Sequence, residues 1–308
     1  MPRALVTGGA GFIGSNLARA LLERGDEVRV LDNFSTGNRV NLEGLDVDIV
    51  EGELRSYERV HNAVRGTEVV YHLGALGSVP RSVQDPLTTN AVNVDGTMNV
   101  LLAARDEGVR RVVFASSSSV YGSSASLPAT EGSAVDPISP YGVAKLAAER
   151  YCVSFSRVYA SFETVVLRYF NVFGPRQNPR SQYAAAVPLF ISAVAAGEPV
   201  TIFGDGEQSR DFTYVENVVA ANLAAADAEG ANGKIFNVAA GAPKRVNTLV
   251  DTIGRLLGKD VVREHAPPRA GDIRDSFADV SAARAVLGWT PTIDFEDGLS
   301  RTIDALLG

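Results

Sequence analysis

Cysteine is almost absent. Cys152 is the single one in 308 residues, so no internal disulfide framework can form. Its position in a helix-forming stretch predicts a buried, inert thiol. Histidine is nearly as scarce: His61, His72 and His265 stand far apart without ligand spacing, which argues against a metal centre. Basic runs are missing too, and 29 Lys and Arg against 36 Asp and Glu leave a net charge of −7. That balance lacks the electrostatic footprint of a nucleic-acid binder or of a protein held on an anionic membrane. No apolar run approaches the ~18 residues of a spanning helix, and a strand begins within a few residues of Met1 where a leader would stand. The expectation is a cytoplasmic protein of enzyme size, with chain enough for a substantial core.

Glycine, by contrast, is plentiful and well placed. Ala4-Leu5-Val6-Thr7 reads as a buried strand that runs into Gly8-Gly9-Ala10-Gly11-Phe12-Ile13-Gly14 and then a helix closed by Gly25. Strand, glycine turn and helix in that order form the context of a dinucleotide-binding fingerprint. Bare glycine backbone lets a pyrophosphate approach the helix N-terminus. Gly8, Gly11, Phe12, Ile13 and Gly14 are therefore candidate cofactor residues. The next strand, Glu27–Leu31, ends at Asp32, about 20 residues on, where a carboxylate accepts from adenosine ribose hydroxyls. Its charge repels a 2′-phosphate, so NAD is favoured over NADP.

Further strands over 46–50, 69–73, 111–115 and 164–169 alternate with helical stretches, which predicts an α/β fold with a doubly wound parallel sheet of Rossmann type. The segment 74–82 reads as a loop at a strand's carboxyl end, where ligands of such sheets sit. His72 reads as a packing residue at a strand end. Past Tyr169 the alternation breaks down. The expected division is a nucleotide domain over 1–170, with 207–240 returning to it, and a smaller interleaved domain over 171–206 and 241–308.

A second pattern is Tyr141-Gly142-Val143-Ala144-Lys145. On a helix an i,i+4 pair shares one face. An ammonium beside a phenol should pull its pKa below the usual value of about 10, which makes Tyr141 a candidate general base. About 25 residues earlier a core strand delivers Ser116-Ser117-Ser118-Ser119, whose hydroxyls can bond the oxygen that loses a proton in hydride transfer.

The spacing G-x-x-G-x-x-G together with the Tyr/Lys pair resembles the extended short-chain dehydrogenases/reductases, in particular the NAD-dependent sugar epimerase/dehydratase group. The resemblance runs along the whole chain. It implies a resident NAD bound additionally by Asn33, Ser35, Thr36 and Gly37, by Glu53 and Leu54, by Leu73, Gly74 and Ala75, and by Asn93, Ser116 and Tyr169. Glu53 stands where the group carries the shorter Asp. Tyr141, Lys145 and Ser117 match the catalytic positions. For a UDP-sugar the resemblance implies Gly77, Ser78, Ser117, Ser118 and Tyr141 near the sugar, and Asn171 on a phosphate. Ala186, Val187 and Phe203 would enclose the uracil, Arg210 and Arg269 the diphosphate, and Asp272 a ribose. Ser276 aligns with a position that is a bulky Tyr in enzymes restricted to plain hexoses.

Relatives that eliminate water carry an Asp-Glu pair just after the catalytic hydroxyl. Here Ser118 and Ser119 occupy that stretch, and neither titrates near neutrality. The expectation is a UDP-hexose 4-epimerase, similar to UDP-glucose and UDP-N-acetylglucosamine 4-epimerases, acting through a 4-keto intermediate and forming the family's homodimer. A 4,6-dehydratase, a UDP-glucuronate epimerase and a non-catalytic NAD sensor on the same scaffold are the alternatives.

Overall fold

The computed structural model describes residues 3–123, 125–179, 185–268 and 273–308. Strands β1 (Arg3–Thr7), β2 (Glu27–Asp32), β3 (Val47–Glu51), β4 (Val69–His72), β5 (Arg111–Ser117) and β6 (Glu163–Tyr169) join a late strand, Lys234–Val238. Their order is Lys234–Val238, β6, β5, β4, β1, β2, β3, and all neighbours pair in parallel. The central strands are apolar on both faces because helices cover both. On one face Leu17 and Leu21 of helix Phe12–Arg24 and Val218 and Ala225 of helix Val215–Asp227 pack against Val30, Tyr71 and Val113. On the other, Val100 and Leu101 of helix Gly96–Asp106 and Ala148 and Cys152 of helix Pro140–Val158 pack against Leu5, Val70 and Phe114. Cys152 is a free, buried thiol, as its position predicts.

Sheet growth reverses between β1 and β4, which lie side by side at the centre. Their carboxyl ends form the crevice in which such folds bind nucleotides. The Phe12–Arg24 helix ends where its run of helix formers meets Gly25, whose left-handed φ of 94° closes the last turn onto the Leu21 and Leu22 carbonyls.

The segment after β4 is more ordered than a loop. Gly74–Ser78 is irregular, but Val79–Gln84 is a helix that begins at Ser78, whose hydroxyl accepts from the Arg81 amide at 3.2 Å. The long helical stretch that follows is also not uniform. It runs as Pro86–Asn90, a π-type turn over Ala91–Asp95, and then Gly96–Asp106.

The smaller region is assembled from pieces distant in sequence. Val172–Phe173 pairs with Thr213–Tyr214, Val200–Phe203 with Arg263–Ala266, and Ser209–Arg210 lies between Lys244–Arg245 and Asp275–Ser276. Phe173, Ile191, Ile202, Phe212, Leu249 and Ile253 form its core. The chain rejoins the main sheet through Val215–Asp227 and Lys234–Val238. Trp289 is buried and its indole N–H donates to the Asn217 carbonyl at 3.0 Å, which fastens the closing Leu287-Gly288-Trp289 turn.

Candidate active site

The nucleotide end is built by contact between turns. Gly14 sits so close beneath the first turn that a Cβ there would lie 2.2 Å from the Gly8 carbonyl oxygen. Only bare backbone fits, and Gly11 caps a helix whose first amides remain free for an anion. Asp32 ends β2 beside this turn, where its carboxylate accepts from the Ala10 amide at 2.9 Å and the Phe34 amide at 2.8 Å. Burial raises its pKa, and those amides oppose the rise. In the loop beyond, the Asn33 side chain accepts from the Ser35 amide and hydroxyl, and Gly37 closes against Ala10 and Asp32. Thr36 is exposed. The glycine cradle and the adjoining carboxylate fit the pyrophosphate and ribose of a dinucleotide.

Other predicted cofactor residues divide by what they touch. Leu54 packs against Gly74 and Gly96 under the crevice. The Glu53 carboxylate turns outward to Arg55 at 2.6 Å. Asn93 does not present its amide to the crevice; it clamps Leu76, accepting from its amide at 2.8 Å and donating to its carbonyl at 3.1 Å. It thereby fixes the course of Leu73, Gly74 and Ala75. Tyr169 donates to Asn222 at 2.9 Å. His72 is buried between Thr7 at 2.7 Å and Thr97 at 3.0 Å, and burial lowers its pKa to about 3. It stays neutral and structural, in agreement with its reading as a packing residue.

The reactive group sits one strand further on. Ser139 caps the helix by accepting from the Gly142 amide at 3.1 Å, and Pro140 occupies the first turn, where its missing N–H costs nothing. A Cβ on Gly142 would come within 2.6 Å of the Ser119 carbonyl. The helix start therefore presses directly on the serine turn, and the Ser117 hydroxyl lies close enough to the Tyr141 phenol to lower its pKa. Ser117 also holds the Ser119 hydroxyl at 3.1 Å.

The electrostatics differ from the expectation drawn from spacing. The Tyr141 phenol is pushed up, not down: burial dominates, and only the neighbouring Ser117 hydroxyl opposes it. Lys145 is not directed at the phenol. Its ammonium donates to the Ala115 carbonyl at 2.7 Å and lies 4.9 Å from the centre of the Phe114 ring. Burial lowers its pKa to about 8, with Cys152 and Glu149 opposing. Helical spacing put both residues on one face, but the amine's hydrogen bond goes to the strand beneath.

Beyond Ser117 a cavity of about 250 Å³ opens, lined among others by Ser118, Tyr121, Phe170, Arg274 and Ser276. Gly77 and Ser78 lie at the end of the post-β4 loop. Asn171 follows β6 with φ of 31°, a conformation uncommon outside glycine that concentrates at functional sites. Arg210 donates to the Ser209 and Arg274 carbonyls at 2.7 and 3.0 Å, and in the three-stranded sheet it pairs with Ser276. Ala186 and Val187 open the Ala186–Ala196 helix, and Phe203 ends the Val200–Phe203 strand. Arg269 and Asp272 lie outside the described residues. Among the described residues no group of three or more His, Cys, Asp or Glu could hold a metal, and no helix is long and apolar enough to cross a membrane.

Sequence reasoning passed over Glu149 and Arg168, whose side chains are 0% and 1% exposed and joined at 2.7 Å directly beneath the serine turn. A signal was present. An arginine inside Thr164-Val165-Val166-Leu167-Arg168-Tyr169 cannot be buried without a partner.

A model of the NAD dependent epimerase/dehydratase family matches residues 4–239. A UDP-glucose 4-epimerase of Mycolicibacterium smegmatis is 39% identical over 312 residues, covering 98% of this chain and 97% of that protein. Among solved structures, the UDP-glucose 4-epimerase of Thermotoga maritima with UDP-glucose superposes with a TM-score of 0.94 at 38% identity, covering 98% of each chain. The UDP-N-acetylglucosamine 4-epimerase of Methanobrevibacter ruminantium, in complex with UDP-N-acetylmuramic acid, also has a TM-score of 0.94 and 38% identity, covering 99% of this chain and 98% of that one.

Proposed function

Because the chain belongs to the NAD-dependent epimerase/dehydratase family, we propose that it interconverts the C4 epimers of UDP-hexoses, both UDP-GlcNAc/UDP-GalNAc and UDP-Glc/UDP-Gal. It is an NAD-dependent enzyme of the UDP-sugar epimerase type. The observation that carries the reading is the Ser117 hydroxyl set beside the Tyr141 phenol, with Ser118, the next residue, on the wall of a cavity of about 250 Å³.

In this reading Tyr141 takes the proton of the sugar 4-OH, and Ser117 holds the same oxygen through its hydroxyl. NAD⁺, held by the glycine turn and Asp32, would supply the hydride acceptor and donor for C4, and its positive charge would favour the phenolate that burial alone disfavours. Lys145, one turn beyond Tyr141 on the same helix and anchored on Ala115, would hold the nicotinamide ribose. Proton removal and return need one base, so the lack of titratable groups at Ser118 and Ser119 favours epimerisation over elimination. For the 4-keto sugar to present its other face, UDP must be gripped and the hexose left loose. Asn171, Arg210, Arg269 and Asp272 supply that grip, Ala186, Val187 and Phe203 receive the uracil, and Gly77, Ser78 and Ser118 border the sugar. Ser276, small and on the cavity wall, leaves room for a 2-acetamido group.

The same reading divides the chain into an NAD-binding part over 1–170, rejoined from 207 to 240, and a UDP-sugar part over 171–206 and 241–308. It makes the enzyme a cytoplasmic homodimer. Support for the dimer comes from apolar side chains on the outer surface of neighbouring helices: Val83, Leu87, Val143 and Val158 are 65%, 83%, 53% and 68% exposed. The test is incubation with UDP-Glc, UDP-GlcNAc and UDP-GlcA separately, without added NAD, followed by separation of C4 epimers. Galactose and N-acetylgalactosamine products are expected. A dehydrated or decarboxylated product, or none, would contradict the proposal.

A further inference from the structure

A single carboxylate ties together the two elements that carry the reacting groups and the strand beside them. Glu149 lies two turns below Tyr141 and one turn below Lys145 on the same helix. One of its oxygens accepts from the Ser116 hydroxyl at 2.5 Å and from Arg168 Nε at 2.9 Å; the other accepts from Arg168 Nη2 at 2.7 Å. Ser116 is 3% exposed and immediately precedes Ser117 at the end of β5. Arg168 stands on β6, where Ser116 is its register partner. Its guanidinium lies 4.7 Å from the centre of the Tyr121 ring, and the Tyr121 hydroxyl donates to Asn237 at 2.6 Å.

An ion pair buried this deeply is weak evidence for a stability role, since apolar side chains of similar volume often do as well. What it supplies is geometry. The Ser116 hydroxyl gains an acceptor fixed to the helix that bears Tyr141, so β5 and that helix cannot slide past each other without breaking a charge-assisted bond. On the reading that Tyr141 and Ser117 act on the sugar 4-OH, we propose that Glu149 is a positioning residue of the reaction. Its carboxylate, through Ser116 and Arg168, sets the separation of the Ser117 hydroxyl from the Tyr141 phenol and holds a negative charge one helical turn from Lys145.

Other groups around Lys145 do not duplicate that charge. His72, facing it from β4, is neutral because burial lowers its pKa to about 3, and burial pushes Cys152 up, so neither changes charge near neutrality. Besides Cys152, Glu149 is the group that opposes the effect of burial on the amine.

The test uses the full chain with Ser116→Ala and Glu149→Gln. Ser116→Ala removes the link and keeps the ion pair. It is expected to lower kcat by ~10-fold or more, because sub-ångström misplacement of reacting groups is costly, while KM and the melting temperature stay near wild type. Glu149→Gln keeps an acceptor for Ser116 and removes the charge. Its kcat is expected to fall away at a lower pH on the alkaline side than that of the wild type, as Lys145 deprotonates earlier. A folded Ser116→Ala enzyme with wild-type kcat, or one whose loss appears only in KM, overturns the proposal. So does a Glu149→Gln enzyme with an unmoved alkaline limb. If Glu149→Gln does not fold, because Arg168 is left unpaired, Ser116→Ala decides alone. Wild-type enzyme inactive on every UDP-hexose would remove the epimerase reading itself, an outcome separable from an active wild type with an unaffected Ser116→Ala.

Discussion

The two halves of the site are built by different means. The nucleotide end is made of neighbours in sequence: a strand, a glycine turn and a helix over Arg3–Arg24, answered by Asp32 at the end of the next strand. Its polar groups are largely held by backbone in advance. The sugar end gathers short strands from around residues 172, 209, 213, 244 and 275, several only two residues long. Little backbone pairing holds it, and packing of Phe173, Phe212 and Phe295 does more. On the proposed function, a cofactor that stays bound would suit the first construction and a hexose that turns over the second. Between them lies the buried Glu149–Arg168 pair.

The comparison can be broken at several points. Arg168→Met should have the largest effect on stability, because it leaves the Glu149 carboxylate buried and unpaired. A loss of about 3–5 kcal/mol is expected, read as a melting point lower by roughly 10 °C. An unchanged melting point would show that water reaches the pair. Gly14→Ala should cost about 1–3 kcal/mol by overpacking, and the purified protein should lose bound NAD, measured by absorbance after denaturation. Retained cofactor would mean that the first turn yields more readily than the 2.2 Å approach implies.

At the sugar end, Ser276→Tyr should narrow the cavity and depress kcat/KM for UDP-GlcNAc relative to UDP-Glc by about 1–3 kcal/mol. Equal losses for both sugars would place the 2-substituent elsewhere.

The smallest effect concerns Asp211, which accepts from the Ala240 and Gly241 amides at 2.8 and 3.0 Å and is held up at about 6 by burial. A folded-state pKa above the unfolded value means that the folded state binds the proton more tightly. The group's contribution is complete below about 4 and lost as pH rises through about 6. Asp211→Asn should therefore flatten the wild-type fall in melting temperature between those limits. An identical pH dependence in both proteins would remove Asp211 as its source.

What could be read from the sequence follows the same division. The glycine turn, Asp32, the strands and the Tyr141–Lys145 helix are signalled by residues close together in the chain, and they stand where expected. The Val79–Gln84 helix was hidden because Gly77-Ser78-Val79-Pro80 has the composition of a turn, although Ser78 followed by Pro80 is also how a capped helix starts. The π turn at Ala91–Asp95 has no local signature. Asn93 falls within it and turns its amide onto Leu76, a partner chosen by tertiary packing. The direction of the Tyr141 shift was misjudged for the same reason. Helical spacing places the amine nearby, but only the fold reveals that it bonds Ala115 and that burial dominates at the phenol. Glu149 needed two distant facts together, an acid on the buried helix face and an arginine in an apolar strand.

The central claim is that the half-buried Tyr141 phenol moves the proton of the sugar 4-OH. Turnover of Tyr141→Phe on UDP-Glc and UDP-GlcNAc, with UDP binding measured alongside, tests it most directly. The account predicts a kcat lower by ~10²–10⁴-fold, the usual contribution of a positioned acid–base group, with UDP affinity nearly intact. Wild-type turnover by Tyr141→Phe would contradict it.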